Sequence, residues 1–134
     1  MSVIVDTSIW SLALRRAKPS SSPEVALLTE LIREGQVVML GAIRQEVLSG
    51  IRHVEQFKRL KDYLGAFPDT PLEAQDYELA AELFNTCRRR GVQGSNTDFL
   101  ICAASIRRGL RILTADGDFE LFQSHIPISL VEAS

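Results

Sequence analysis

Cysteine is scarce in this chain: Cys87 and Cys102 are its only two. Both fall within helical patterns and lack metal-ligand spacing, so they read as small buried thiols rather than a metal centre. Histidine is equally rare, with only His53 and His125, and no Ser/His/Asp or Cys/His arrangement supports nucleophilic catalysis. Lysine occurs three times (Lys18, Lys58 and Lys61), never inside a predicted strand. No apolar run approaches the ~18 residues of a membrane span. The N-terminal apolar run is cut by Asp6 before it reaches the length of a signal-peptide core, which leaves the cytoplasm as the expected location. There is no internal repeat, no low-complexity segment and no aromatic ladder of the kind that stacks single-stranded bases. Net charge is −2, which at first argues against a nucleic-acid partner.

What is present describes one ordinary globular domain over residues 1–134, with 46% apolar and 24% charged residues. The stretch that organises it is Ser2-Val3-Ile4-Val5-Asp6-Thr7-Ser8. Three β-branched residues predict a strand buried on both faces, and the run ends abruptly in a carboxylate. Leu110–Ala115 repeats the device and ends in Asp116. Val37–Leu40 predicts another buried strand, and Ile126–Val131 an edge strand. Between them the spacing predicts helices over Ile9–Leu14, Pro23–Glu34, Ala42–Ser49, Arg52–Leu64, Glu73–Arg90, Asp98–Arg108 and Asp118–Ser124. Ser21 with Glu24 fits a capping box for the second of these. In Glu73–Arg90, Ala74, Tyr77, Ala80, Ala81, Phe84 and Cys87 form one apolar stripe. Asp98–Arg108 is apolar almost all round, as a buried helix is. Short buried strands alternating with helices predict an α/β sandwich with a central, mainly parallel sheet.

In such sheets ligands bind at the carboxyl ends of the strands. Asp6 and Asp116 end strands, Glu46 lies early in the helix after the second strand, and Asp98 opens the buried helix behind a polar cap. Each has a plain structural explanation when taken alone. Asp follows strands as a turn former, and a first-turn acid is favoured by the helix dipole. All four nevertheless map to one edge of the sheet. Two carboxylates ~6 Å apart repel by roughly 2–3 kcal/mol at an effective dielectric near 20. Six such pairs sum to ~15 kcal/mol, as large as the stability of a whole domain. A cluster of that kind requires protons or cations, and an all-oxygen ligand set selects Mg²⁺ or Mn²⁺. A hard divalent ion in a crevice points to phosphoryl chemistry. Counting Asp118 with the four acids, and taking five negative charges from −2, leaves +3 for the rest of the chain. The bulk charge therefore does not exclude a phosphate-rich substrate.

Four segments in order carry a resemblance: Val3-Ile4-Val5-Asp6-Thr7-Ser8-Ile9-Trp10, Arg44-Gln45-Glu46-Val47-Leu48, Thr97-Asp98-Phe99-Leu100-Ile101-Cys102-Ala103-Ala104, and Leu113-Thr114-Ala115-Asp116-Gly117-Asp118-Phe119. Together they resemble the PIN-domain family, and in particular its VapC toxin branch, across nearly the whole chain. The resemblance implies a PIN-like α/β/α sandwich and an Mg²⁺- or Mn²⁺-dependent endoribonuclease that acts as the toxin of a type II toxin-antitoxin pair. It implies that Asp6, Glu46, Asp98 and Asp116 are catalytic and hold the metal, with Asp118 as an auxiliary acid. Ser8 and Thr114 would hydrogen-bond beside them. It further implies an RNA substrate, a homodimer, and a small VapB-type antitoxin whose amphipathic segment lies in a groove near the first helices. Trp10, Leu14, Leu28 and Leu48 are candidates for that groove or for ordinary core. Cys102 stands where the family commonly has a smaller residue.

Basic residues placed to meet RNA phosphates are Arg15, Arg16, Lys18, Arg44, Arg52 and the Arg88–Arg90 run, although charge runs are more often solvated faces. Other acid-bearing folds fit less well. A phospho-accepting receiver domain needs adjacent acids after its first strand and a strand-ending lysine. A haloacid-dehalogenase-type phosphatase needs Asp-x-Asp, where this chain has Ser8. The remaining rivals are an RNA-processing PIN nuclease outside any toxin pair and a non-catalytic PIN scaffold.

Overall fold

Val3, Ile4 and Val5 have no solvent exposure, and as strand β1 (Val3–Val5) they form the middle of the sheet. The computed structural model describes residues 1–15 and 21–133. β1 is flanked by β2 (Val37–Val38) and β3 (Arg111–Leu113), giving the order β2-β1-β3 with both pairings parallel. Val3 faces Val37 on one side and Arg111 on the other, and Val5 faces Leu113. Parallel neighbours need helical crossovers. Helices α1 (Thr7–Leu14) and α2 (Pro23–Arg33) join β1 to β2, and α3 (Gly41–Leu48), α4 (Val54–Leu64), α5 (Ala74–Arg89) and α6 (Asn96–Arg108) lead to β3. A short α7 (Asp118–Gln123) follows. The expected α/β class with a parallel sheet flanked by helices is what forms. Among the described residues no helix is long and apolar enough to cross a membrane.

The strands are shorter than the apolar runs suggested. Beyond Val38 the second run keeps only a single parallel bridge from Met39 to Asp69. The expected edge strand over Ile126–Val131 is likewise one bridge, Ile112 to Leu130. Its cause is local: Pro127 has no N–H to donate, and Ile128 N–H turns back onto Ile126 O at 2.9 Å. The third run stops at Leu113, leaving Thr114 and Ala115 outside the strand. The cap of α2 also shifts by one residue. Ser22, not Ser21, accepts the Val25 N–H at 3.3 Å, so Pro23 takes the first helical position where its missing N–H is harmless. The expected loop at Ser20 and the basic residues Arg16 and Lys18 lie outside the described residues.

Helix α5 is rotated from its expected face. Ala74, Tyr77 and Ala81, expected in the buried stripe, are exposed, Tyr77 to 57%, whereas Asp76 and Leu83 from outside it are buried; Cys87 is buried as expected. The rotation follows an ion network. Arg108 of α6 donates through both terminal nitrogens to the Asp76 carboxylate, at 2.6 and 2.9 Å. Arg107 adds a contact at 2.8 Å, and Glu73 N–H a bond at 2.7 Å. A fully buried carboxylate is tolerable only with such saturation.

The core continues below α6 as a chain of rings. Phe84 meets Phe99 at 5.5 Å, Phe99 meets Phe122 at 4.8 Å, and Phe122 meets Phe119 at 5.3 Å between centroids. Gly94 lets the chain pass these rings: a Cβ there would lie 2.5 Å from Phe122. Cys87 and Cys102 are both buried and free, and burial pushes both thiols up from the ordinary cysteine value.

The Asp76 carboxyl is held well below the usual carboxylate range, chiefly by the Arg108 hydrogen bond, against the opposing effect of burial. A depressed folded-state value stabilises the fold above the ordinary Asp value of about 3.9, and that stability is lost as pH falls below it. Asp76→Ala is therefore expected to lower stability at pH 7 by about 3 kcal/mol, the low end for a broken buried pair, because both arginines can turn to water. Thermal melts in a pH series should also show a smaller drop between about pH 5 and pH 3 than in the parent; an unchanged acid limb would contradict this role.

Candidate active site

The backbone first brings two acids together. Asp6 N–H donates to Leu113 O at 2.9 Å, which carries the β1–β3 ladder one step past the strand end. Asp6 is also the cap of α1, in extended conformation, and is only 4% exposed. Its Oδ2 accepts from Ser8 Oγ at 2.8 Å, from Thr114 Oγ1 at 2.8 Å and from Ser8 N–H at 3.4 Å. Ser8 Oγ accepts in turn from Ala115 N–H at 3.0 Å, and Thr114 Oγ1 from Asp116 N–H at 3.0 Å. Ser8 and Thr114 thus tie Asp6 to the segment that carries Asp116. Asp116 Oδ1 accepts from Asp118 N–H at 2.9 Å, and Asp118 is exposed in the first turn of α7.

Asp98 reaches the same neighbourhood from α6. Ser95 caps that helix reciprocally: Asp98 N–H donates to Ser95 Oγ and Ser95 N–H to Asp98 Oδ2, both at 3.0 Å. The Asp98 carboxyl is shifted up, first by burial and then by the negative charges of Asp6 and Asp116, against the lowering effect of the Ser95 hydrogen bonds. The three aspartates therefore lie within one another's field. Glu46 comes from α3, where Ile43 and Val47 are buried and Glu46 is half-buried. Its Oε1 accepts from Thr7 Oγ1 at 2.6 Å, which attaches it to the residue next to Asp6.

A common pattern emerges. Each of the four acids places one oxygen on a donor from the chain: Asp6 Oδ2, Glu46 Oε1, Asp98 Oδ2 and Asp116 Oδ1. The other oxygen of each carries no such bond among the described residues. None of the four is in an ion pair there either; the carboxylates so paired are Glu30, Asp69 and Asp76. Among the described residues, no three acidic, imidazole or thiol side chains close into a ready-made ion cage. The arrangement is an open rim of half-satisfied oxygens. Hard oxygen donors in that state fit Mg²⁺ or Mn²⁺ by their chemistry.

Two hollows meet at Ala115. One, of about 580 Å³, is lined by Thr114, Asp116, Glu24, Glu120 and Glu132 among others. It adjoins Asp116 but does not include Asp6, Glu46 or Asp98. The other, of about 430 Å³, is lined by Ser8, Ser11, Leu12, Arg15 and Ala115. Of the arginines considered for RNA, Arg15 therefore borders the site, and Arg52 is exposed. Arg44 is engaged inside the chain: it donates to Asp69 Oδ1 at 3.0 Å, to Leu64 O at 2.8 Å and to Phe67 O. Arg16 is outside the described residues. Of the groove candidates, Trp10 is core, its indole N–H donating to Val5 O at 3.1 Å, and Leu28 is buried; Leu14 and Leu48 are half-buried.

Two contributors were not singled out from the sequence. Ser95 was visible only as part of the polar cap before Asp98; its three-residue spacing to Asp98 is the signal that could have found it. Thr7 carried no separate signal beyond standing between Asp6 and Ser8.

Comparison with known proteins identifies the family and the fold. The family model "PIN domain" matches residues 3–123. A VapC ribonuclease of Mycobacterium bovis, Mb1587, is 31% identical over 122 residues, covering 89% of this chain and 90% of the relative. Ribonuclease VapC11 of Mycobacterium tuberculosis shows the same identity and coverage. Among solved structures, FitAcB from Neisseria gonorrhoeae superposes with a TM-score of 0.76 at 19% identity, over 98% of this chain and 97% of the other. VapBC2 from Rickettsia felis, solved bound to a DNA fragment from its promoter, gives a TM-score of 0.76 at 18% identity and covers 98% of both chains.

The raised Asp98 carboxyl has a sign. A folded-state value above the unfolded one makes the charged form a burden, which grows as pH rises from the unfolded value to the folded one and is fully present above both. Asp98→Asn keeps an oxygen for the Ser95 N–H and removes the charge. In chelator at neutral pH, calorimetric melting is expected to place this variant at or above the parent; a clear drop would contradict the shared field.

Proposed function

This chain belongs to the PIN-domain family, in its VapC ribonuclease branch, and on that premise we propose that it is the toxin of a type II toxin-antitoxin pair, a metal-dependent endoribonuclease. The observation that carries the reading is the rim of four carboxylates, each with one oxygen fixed by the chain and the other left open, none of them paired with a cation. Asp6, Glu46, Asp98 and Asp116 would hold Mg²⁺ or Mn²⁺, with Asp118 beside Asp116. When bound, such an ion would polarise the phosphate and lower the pKa of a coordinated water.

The reaction is hydrolysis: a water oxygen bonds to phosphorus and gives up a proton, the bond from phosphorus to one ribose oxygen breaks, and that oxygen leaves as a hydroxyl after taking up a proton. Ser8 and Thr114 fix the direction of Asp6, so its free oxygen keeps one heading. The capping contacts of Ser95 do the same for Asp98. Arg15 beside Ser8 and the exposed Arg52 contact the RNA backbone; Arg44 serves the fold instead. The protein acts in the cytoplasm as a homodimer held in check by a small VapB-type antitoxin. Support for such a partner comes from its structural neighbours, which are VapBC and FitAB complexes.

Asp6→Asn and Asp98→Asn are expected to abolish cleavage of a structured RNA panel in Mg²⁺ or Mn²⁺, with far-UV circular dichroism unchanged. Chelation of the parent should do the same and re-added metal should restore it. Full activity in either variant, or cleavage indifferent to chelator, would overturn the assignment.

A further inference from the structure

Glu46 differs from the other three acids in how it is held. Asp6 sits on a buried strand end, Asp98 in a capping box, and Asp116 in a turn anchored through Thr114. Glu46 has a longer side chain, with three rotatable bonds, and projects from a half-buried position on α3. Its recorded hydrogen bond is the 2.6 Å contact from Thr7 Oγ1, across 39 residues of sequence. Thr7 is well suited to anchor it. As the first residue of α1, directly after the capping Asp6, its backbone is set by the cap and by the sheet behind it. Its side chain is half-buried. A β-branched side chain has few rotamers, so its hydroxyl points in a nearly fixed direction.

We propose that Thr7 is a positioning residue: its hydroxyl holds one oxygen of Glu46 so that the other faces the metal rim at Asp6. The inference rests on the metal-dependent reading above and extends it to a residue that touches neither ion nor RNA. Without the hydroxyl, Glu46 is free to turn among its other rotamers, and the rim loses one of its four headings. Hydroxyls that orient metal-binding carboxylates have measurable weight in affinity.

The test is isothermal titration of Mn²⁺ into the parent, Thr7→Val, Thr7→Ser, Glu46→Ala and the double variant Thr7→Val/Glu46→Ala, each with its melting temperature. Thr7→Val, isosteric but without the hydroxyl, is expected to bind Mn²⁺ about tenfold more weakly, and Thr7→Ser within about twofold of the parent. In the Glu46→Ala background, Thr7→Val should change nothing further. Parental affinity in Thr7→Val, an equal loss with Glu46 absent, or no rescue by Thr7→Ser would each overturn the proposal. If Thr7→Val does not fold, Thr7→Ala against Thr7→Ser makes the same comparison, Ala being a good helix former. A parent that binds no Mn²⁺ refutes the metal-dependent reading and this role with it; a parent that binds while Thr7→Val matches it refutes only the role.

Discussion

Like charges gathered at one edge of a sheet repel, and the fold must hold them there without neutralising them. It does so with hydrogen bonds that each occupy a single oxygen. Ser8 and Thr114 serve Asp6, Thr7 serves Glu46, Ser95 serves Asp98, and the backbone of Asp118 serves Asp116. Helix starts add to this. Asp6 caps α1 and Asp98 lies in the first turn of α6, so the partly positive ends of two helices face the acids. These contacts offset part of the repulsion and leave a net demand for positive charge.

Asp76 shows what the same side chain looks like when the chain completes its neutralisation. It is buried, bidentate to Arg108, joined by Arg107 and capped by the Glu73 N–H. Both of its oxygens are in use, so nothing further can bind. The difference between Asp76 and Asp6 is therefore not burial, since Asp6 is nearly as enclosed. It is whether a guanidinium has been supplied.

Much of this was legible in the residues. A β-branched run ending in Asp announced β1 and its exposed end, and helical spacing with terminal glycines located most helices within a residue or two. Asp6 and Asp116 stand just after strands and Asp98 in the first turn of α6, which marks them in the residues; Glu46, deep in α3, is marked only by its helix following β2. What could not be read depended on partners distant in sequence. The rotation of α5 is set by Arg108, thirty-two residues beyond Asp76, and apolar periodicity alone favoured the face with Tyr77. The strand lengths depended on where neighbouring segments give up pairing, as at Pro127. Arg44 looked like any exposed base until the turn at Leu64–Asp69 wrapped around it.

The rings beneath the rim have a further consequence. Phe99 follows Asp98 and Phe119 follows Asp118, and the two are joined through Phe122 at centroid spacings of 4.8 and 5.3 Å. The gap between the acid on α6 and those around α7 is thus gauged by hydrocarbon thickness, much as a shim sets a jaw. On the proposed reading, the spacing that an ion would meet there is set partly by carbon atoms it would never touch.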